Sequence, residues 1–414
     1  MRLLHTSDWH LGQTLHDFDR SYEHERFLDW LLDTLEAQQV DALLIAGDVF
    51  DNPNPSADAQ KLFYHFLTEA KRRVPKLDMA IIAGNHDSAG RLEAPAPLLK
   101  NIDITVVGAV TRNAQGDIEL DRMIAPLHDR EGDIAAWCLV IPFLRPGDVP
   151  RVSTEGDAYL EGVRLLYRQT LDYALERWEN RQAIVALGHC HTSGGVTSED
   201  SERRIVIGGA EALPVDTFDR AIAYVALGHL HRAQQVGDHK RVRYCGSPLP
   251  MSFTELHYPH QVLRIDLDGG AIREITPLRV PRPVDLLRIP QDPAPIDEVI
   301  RQLQALELPD RPRNEQPYLQ VRVQLTAPEP GLRTKIDAVL DNKPVRLARI
   351  ETTYGKSGAT GTNDFGCRTP DDLQRLQPED IFKKLYQRKY NAEPDVSLLT
   401  AFAELLNVQP DVAP

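Results

Sequence analysis

Four cysteines in 414 residues, at positions 138, 190, 245 and 367, are too few and too scattered for a disulfide framework. That spacing predicts a chain made for a reducing compartment. No apolar stretch reaches the ~18 residues of a membrane span. A signal-peptide pattern is also missing, because Met1-Arg2 leads straight into a strand-like run. A basic surplus is missing as well: 47 Lys and Arg face 61 Asp and Glu, a formal net charge of −14. Gripping nucleic acid through a protein's own surface takes phosphate neutralisation by Lys and Arg. Any DNA binding by this chain alone is therefore expected to be weak. Lys71-Arg72-Arg73, Arg203-Arg204 and Lys240-Arg241-Val242-Arg243 are local basic groups, but each taken singly reads as a solvated charged face.

What the chain does have is a repeated arrangement of apolar runs that end in metal-type ligands. Leu3-Leu4 runs into Asp8-Trp9-His10, and Ala42–Ala46 into Gly47-Asp48-Val49-Phe50-Asp51. Met79–Ala83 runs into Gly84-Asn85-His86-Asp87, Ala183–Leu187 into Gly188-His189-Cys190-His191, and Ala221–Leu227 into Gly228-His229-Leu230-His231. Short apolar runs bounded by Gly read as buried strands. Ligands at the ends of such strands converge on one edge of a sheet, where α/β folds place their chemistry.

The residue types fit a two-cation phosphodiesterase. Two divalent ions about 3.5–4 Å apart can clamp the attacking and leaving oxygens of a phosphoryl displacement. Asp, Asn and His suit Mn, Fe or Zn. The Gly before Asp48, Asn85, His189 and His229 is expected to let the backbone turn sharply. A lone Asp-x-His is common and Gly-Asp is often only a turn. All five clusters in this order, each after a strand-like run, are hard to obtain by chance.

The set resembles the calcineurin-like metallophosphoesterases, and more closely the SbcD-like nucleases. The closer resemblance rests on Leu4–Gly12, Ala226–Gln234 and Val242–Phe253. It is strong over about residues 1–265 and weaker beyond. It implies an α/β fold: a two-sheet metallophosphoesterase sandwich flanked by helices, with a small α/β capping domain and a C-terminal helical docking element. Asp8, His10 and His231 would hold one divalent metal, Asn85, His189 and His229 the other, and Asp48 would bridge them. Mn²⁺ is the metal implied. His86 would act on the leaving oxygen, and the Asp51 carboxylate would orient His86 and hold it protonated. His191 matches no family ligand; it either supports a ligand from behind or is simply polar at a strand end. Cys190 reads as packing, and His16 as a residue able to touch the substrate backbone.

A chain of 414 residues is expected to form two or more domains. The boundaries read as 1–277 for the nuclease domain, 278–351 for the cap, 352–372 for a Gly-, Ser- and Thr-rich flexible linker, and 373–410 for a helical partner-binding element. Helical spacing marks Tyr22–Leu35 and Ala57–Leu67. The resemblance places dimer helices near 56–73 and 90–100. A Pro-rich stretch from Pro277 to Pro295 marks a boundary or an edge. Past it, Ile296–Leu306 and Leu332–Leu340 read as helices, with Tyr318–Leu325 and Val345–Ile350 as strands. Two tail helices are expected, one starting at Gln377 and one over Asp395–Asn407.

The resemblance thus implies a DNA nuclease subunit with 3′–5′ double-strand exonuclease and single-strand or hairpin endonuclease action. It would work in repair and recombination as a homodimer with an SMC-like ATPase subunit, SbcC, with no membrane contact, in the cytoplasm on the nucleoid. The alternative is a small-molecule or cyclic-nucleotide phosphodiesterase, which needs neither cap nor docking tail. A scaffold without catalysis is the other class of reading, opposed by the presence of every expected ligand and His86.

Overall fold

The computed structural model describes residues 1–179, 181–198, 212–327, 329–354, 378–390, 392–395, 397–399 and 401–402. The chain forms two compact units, Met1–Asp285 and Leu286–Pro414. In the first half of unit 1 come β1 (Arg2–Thr6), a short hairpin of β2 (Thr14–Leu15) and β3 (Phe18–Asp19), α1 (Ser21–Ala37), β4 (Ala42–Ala46), α2 (Ala57–Arg73), β5 (Asp78–Ile82), α3 (Ala89–Glu93), α4 (Ala96–Leu99) and β6 (Ile104–Val107). The second half has β7 (Ile124–His128), β8 (Ile134–Val140), α5 (Ala158–Leu175), β9 (Ala183–His189), β10 (Tyr224–Gly228), β11 (Gln234–Val236), β12 (His239–Tyr244), β13 (Gln261–Asp268) and β14 (Ala271–Arg279).

These strands make two six-stranded sheets, ordered β14-β13-β1-β4-β5-β6 and β11-β12-β10-β9-β8-β7. β1, β4, β5 and β6 run parallel, as do β8, β9, β10 and β12. The period-2 alternation of each strand sorts its side chains between two cores. Leu43 and Ile45 of β4 pack under α1 and α2 with Phe27, Leu31, Phe63 and Phe66. Ala42, Leu44 and Ala46 of the same strand face Ala136, Cys138, Ala183, Val185 and Ala226 of the other sheet. Ala at so many of these positions lets the sheets lie close. Ile184, Ala186, Val225 and Leu227 complete a third core with α5 through Val163, Leu166 and Leu171. The result is the two-sheet α/β sandwich with outer helices that the resemblance implied.

Local signals explain the helices. Ser56 caps α2 by accepting the Ala59 amide at 3.1 Å, with Asp58 in the first turn and Lys71, Arg72 and Arg73 in the last, each sign complementing the helix dipole. Asp157 caps α5 through the Tyr159 and Leu160 amides. The helix expected over 90–100 is instead two short ones, α3 and α4, because Pro95 and Pro97 interrupt it.

Unit 2 contains β15 (Leu286–Ala294), α6 (Ile296–Gln304), β16 (Tyr318–Leu325), α7 (Leu332–Leu340), β17 (Arg346–Tyr354) and α8 (Pro378–Tyr390). Its three strands are parallel in the order β15-β16-β17, and Val299, Leu303 and Ile336 of the helices pack on Leu319, Val321 and Val323. Pro290 and Pro293 lie in β15, an edge strand, where a missing N–H is tolerated. The expected boundary at 277 falls inside β14, and the units divide at 285/286 instead. The expected linker 352–372 begins within β17, and 355–372 lie outside the described residues. Of the helix expected over Asp395–Asn407, residues 396, 400 and 403–407 lie outside them too. Asp395 accepts the Leu398 amide at 2.9 Å, an N-cap pattern. Tyr390 of α8 meets Tyr354 edge-on at 4.9 Å, and Phe382 stacks on Phe402 at 4.2 Å.

Candidate metal centre

Five strand ends of unit 1 deliver the expected ligands. β1 leads to Asp8 and His10, β4 to Asp48, and β5 to Asn85, while β9 ends at His189 and β10 leads to His229 and His231. The turns are stitched together by main-chain bonds, Asp8 N to Gly47 O and His10 N to Asp48 O at 3.0 Å, and by the His229 amide donating to Asp8 Oδ1 at 2.9 Å. Trp9 points the other way. It lies edge-on to Phe27, Phe63 and Phe66 at 5.6, 6.2 and 5.2 Å, and its Nε1 donates to Thr6 Oγ1. One motif residue thus anchors the helical core while its two neighbours face the site.

The backbone differs from the expectation about glycine. Asp8, His10, Asp48 and His229 themselves take positive φ, of 55°, 47°, 50° and 102°. Among the four motif glycines only Gly47 does, at 87°. Gly228 is needed for room, since a Cβ there would collide with the Ala46 carbonyl. Left-handed backbone at four ligand positions is strain held in place by the surrounding sandwich.

Three donor groups converge, each with its ligand atoms within 4.8 Å of one another: Asp8, His10 and His231; His10, Asp48 and His86; and Asp8, Asp48 and His189. Asp48 Oδ2 lies 3.3 Å from His189 Nε2 and 3.7 Å from His10 Nε2. Asn85 Oδ1 lies 3.0 Å from His189 Nε2 and 3.1 Å from His229 Nδ1. All seven expected ligands therefore meet. Among the described residues His10 Nε2 is buried without a hydrogen-bond partner, which leaves its lone pair available to a cation. Two carboxylates, an amide oxygen and imidazoles match hard-to-borderline divalent ions.

Against the lowering by burial, the Asp48 carboxylate raises the His189 imidazole to about 9. Burial alone would raise the Asp48 carboxyl, but His189, hydrogen-bonded to it, with His10 and His86 nearby, holds it well below the usual carboxylate range. Burial lowers His229 to about 3, helped by His189. Burial pushes the Cys190 thiol up to about 12, which fits packing rather than coordination. His191 is in none of the three donor groups among the described residues.

His86 Nδ1 bonds the main-chain carbonyl of Asp51 at 2.7 Å, and the Asp51 carboxylate lies 3.4 Å from His10 Nδ1. The loop after β4 thus presents its carbonyl to His86. The His86 amide also donates to Asp48 Oδ1 at 2.8 Å. Asn85, His86 and Asp51 are half-buried while the other six are buried, so the site opens on their side. His16 is exposed, its ring 5.8 Å from Phe253.

Two residues that the sequence reading did not single out complete the site. Asp87 accepts the amides of Gly84, Val49 and Phe50 at 2.9, 3.1 and 2.9 Å. Glu255 faces His231 Nδ1 at 3.0 Å. The local signal for Asp87 was its place in Gly-Asn-His-Asp; nothing near Glu255 marked it. The basic groups are engaged locally: Lys71 with Asp103, Arg72 with Glu69, Arg73 with Asp33, and Arg241 with the Phe218 and Ile222 carbonyls. Arg203-Arg204 lies outside the described residues.

A family model described as calcineurin-like phosphoesterase matches residues 1–233, and one described as type 5 capsule protein repressor C-terminal domain matches 282–390. The chain is 43% identical over 388 residues to the SbcD subunit of the nuclease SbcCD of Rhodobacter capsulatus, covering 92% of this chain and 93% of that one. The SbcD subunit of the Escherichia coli K12 nuclease is 32% identical over 394 residues, covering 93% and 92%. Its Bacillus subtilis counterpart is 34% identical over 276 residues, covering 65% and 67%.

Proposed function

This chain belongs to the calcineurin-like phosphoesterases and, within them, to the SbcD nuclease family, and we propose that it is the DNA-cutting subunit of an SbcCD-type complex. The reading is of a metal-dependent phosphodiesterase with 3′–5′ exonuclease action on double strands and endonuclease action on single strands and hairpins. Its place is DNA repair and recombination, in the cytoplasm on the nucleoid, as a homodimer with an SMC-like ATPase subunit, SbcC. In this reading the β15–β17 domain is the capping domain, and α8 with the tail after it is the docking element for SbcC. The acidic net charge of −14 supports a division of labour in which the partner supplies part of the DNA grip.

The observation that carries the reading is the meeting of Asp8, His10, Asp48, His189, His229 and His231, all buried, with the half-buried Asn85 at the carboxyl edge of two sheets. Two divalent cations, Mn²⁺ in this reading, fit the donor set: Asp8, His10 and His231 for one, Asn85, His189 and His229 for the other, with Asp48 shared. When bound, they supply Lewis-acid polarisation of the phosphate and activation of water. His86 is the imidazole this ligand set leaves over. Its Nδ1 bonds the Asp51 carbonyl at 2.7 Å and so carries its hydrogen. Proton exchange with substrate therefore runs through Nε2, which would hold or protonate the leaving oxygen in the imidazolium form, where both ring nitrogens carry hydrogen. The scissile phosphate enters from the half-buried side formed by Asn85, His86 and Asp51.

The test is cleavage of end-labelled duplex and hairpin DNA with Mn²⁺, with and without chelator, beside hydrolysis of bis-p-nitrophenyl phosphate. Metal-dependent DNA cutting is expected. Hydrolysis of the small diester without DNA cutting, even after addition of the ATPase partner, would overturn the reading in favour of a small-molecule phosphodiesterase.

A further inference from the structure

Glu255 is a buried carboxylate that the reaction as described does not use. It closes the 3₁₀ turn Phe253–Glu255, has no exposed surface, and lies 24 residues after His231 in the chain. A buried carboxylate is costly unless its oxygens are paired. Here one oxygen lies 3.0 Å from His231 Nδ1 and the other accepts the Met251 amide at 2.8 Å. The Met251 bond fixes the carboxylate, and the carboxylate fixes the imidazole. With Nδ1 as the donor towards Glu255, Nε2 is the nitrogen left to join the Asp8–His10–His231 group.

The two ligand sets are backed differently. In the Asp8–His10–His231 set, both imidazoles have a carboxylate at Nδ1: Glu255 at 3.0 Å from His231 and Asp51 at 3.4 Å from His10. In the Asn85–His189–His229 set, the Ala46 carbonyl, a neutral acceptor, lies 2.8 Å from His189 Nδ1, while His189 Nε2 faces the shared Asp48 at 3.3 Å and His229 Nδ1 faces Asn85 Oδ1 of its own set at 3.1 Å. The first set also contains a carboxylate of its own, Asp8, where the second has an amide. Carboxylates behind a ligating imidazole fix its tautomer and strengthen it as a donor, and losing one costs about 10–100-fold in metal affinity.

We propose that Glu255 is a positioning residue that holds His231 in the Nδ1–H tautomer and makes Asp8–His10–His231 the tighter of two unequal cation positions. This rests on the two-cation reading above. The claim concerns binding, so it can be measured without turnover.

The experiment is equilibrium dialysis of the metal-freed full chain against Mn²⁺ alone, counting bound Mn by elemental analysis, for wild type and Glu255→Gln. The wild type is expected to bind two Mn with distinct constants. In Glu255→Gln the tighter constant should weaken by about 10–100-fold while the weaker one stays put. A role confined to folding would lower the melting temperature without singling out one constant. Two wild-type constants retained in Glu255→Gln would overturn the proposal while leaving the two-cation reading intact. Fewer than two Mn on the wild type would overturn that reading itself. A second measurement needs no stable variant at Glu255: ¹⁵N spectra of histidine-labelled, metal-free wild type, with the His231 signals assigned by their loss in His231→Asn. The Nδ1–H pattern is expected, and an Nε2–H pattern for His231 would overturn the proposal.

Discussion

His189, the last residue of β9, bonds through Nδ1 to the carbonyl of Ala46, the last residue of β4, at 2.8 Å. One contact thus ties the two sheets together and aims the other ring nitrogen at Asp48 and Asn85, 3.3 and 3.0 Å away. His189→Ala removes that tie and, in the proposed assignment, a ligand. Bound Mn should fall from two to one per chain, and DNA cleavage by more than about 100-fold. Elemental analysis of the dialysed variant checks this; two Mn retained would contradict it.

Asp87 joins the loops after β4 and β5 by accepting three amides, from Gly84, Val49 and Phe50. Those loops carry Asp48, Asn85 and His86. Burial, with repulsion from Asp48, pushes the Asp87 carboxyl up to about 6, and the three amides oppose that rise. Asp87→Ala would leave the amides buried and unpaired, at a cost of about 2–4 kcal/mol. Asp87→Asn, which keeps an acceptor oxygen, should lose less. Urea unfolding of the two variants gives the comparison, and equal stability to wild type in Asp87→Ala would refute the clamp.

Arg20 and Glu23 form a buried ion pair at 2.7 Å, and Arg20 also donates to the Gln13 side chain and to the Pro250 carbonyl. The pair fastens the loop after the first motif to the segment that leads into Glu255. Arg20→Ala strands the Glu23 charge in the interior and is expected to cost about 3–5 kcal/mol. The double variant Arg20→Ala, Glu23→Ala should recover part of that loss. A double variant no more stable than Arg20→Ala would argue against coupling between the two.

His24 and His5 make stability depend on pH. Burial lowers each imidazole to about 3 from 6.5, His24 also by the nearby Arg20 charge. Both stay neutral in the folded chain, whereas the unfolded chain takes up their protons below pH 6.5. The sign follows: more protons bind the unfolded state, so stability falls as pH drops from 6.5 towards 3. Each group contributes at most about 1.4 kcal/mol per pH unit in that window. His24→Gln should flatten the decline relative to wild type. Parallel curves for the two proteins between pH 6 and pH 4 would show that His24 does not titrate as described.

The strands that lead to the site were legible because they are short apolar runs, most with a Gly boundary, and the candidate ligands because they stand just after those runs. β16 and α7 begin and end where their patterns do, at Tyr318–Leu325 and Leu332–Leu340. Less local features were not. Glu255 reaches His231 only after the chain returns through β11 and β12, so no spacing rule connects them. The bond from the Asp51 carbonyl to His86 Nδ1 was not legible either, since a sequence does not show which main-chain atom a loop will present. Positive φ at Asp8, His10 and Asp48 was hidden for the same reason: the strain is set by tertiary bonds, not by residue type. The helix near 90–100 failed on Pro95 and Pro97, local signals that the expected dimer helix overrode.

The most direct measurement is cleavage of a labelled DNA hairpin with Mn²⁺ by wild type and His86→Ala, with bound Mn counted on both proteins. In the proposed assignment His86 is not a ligand, so the variant should keep two Mn and lose cleavage. A His86→Ala protein that binds two Mn and cuts the hairpin at the wild-type rate would contradict the account.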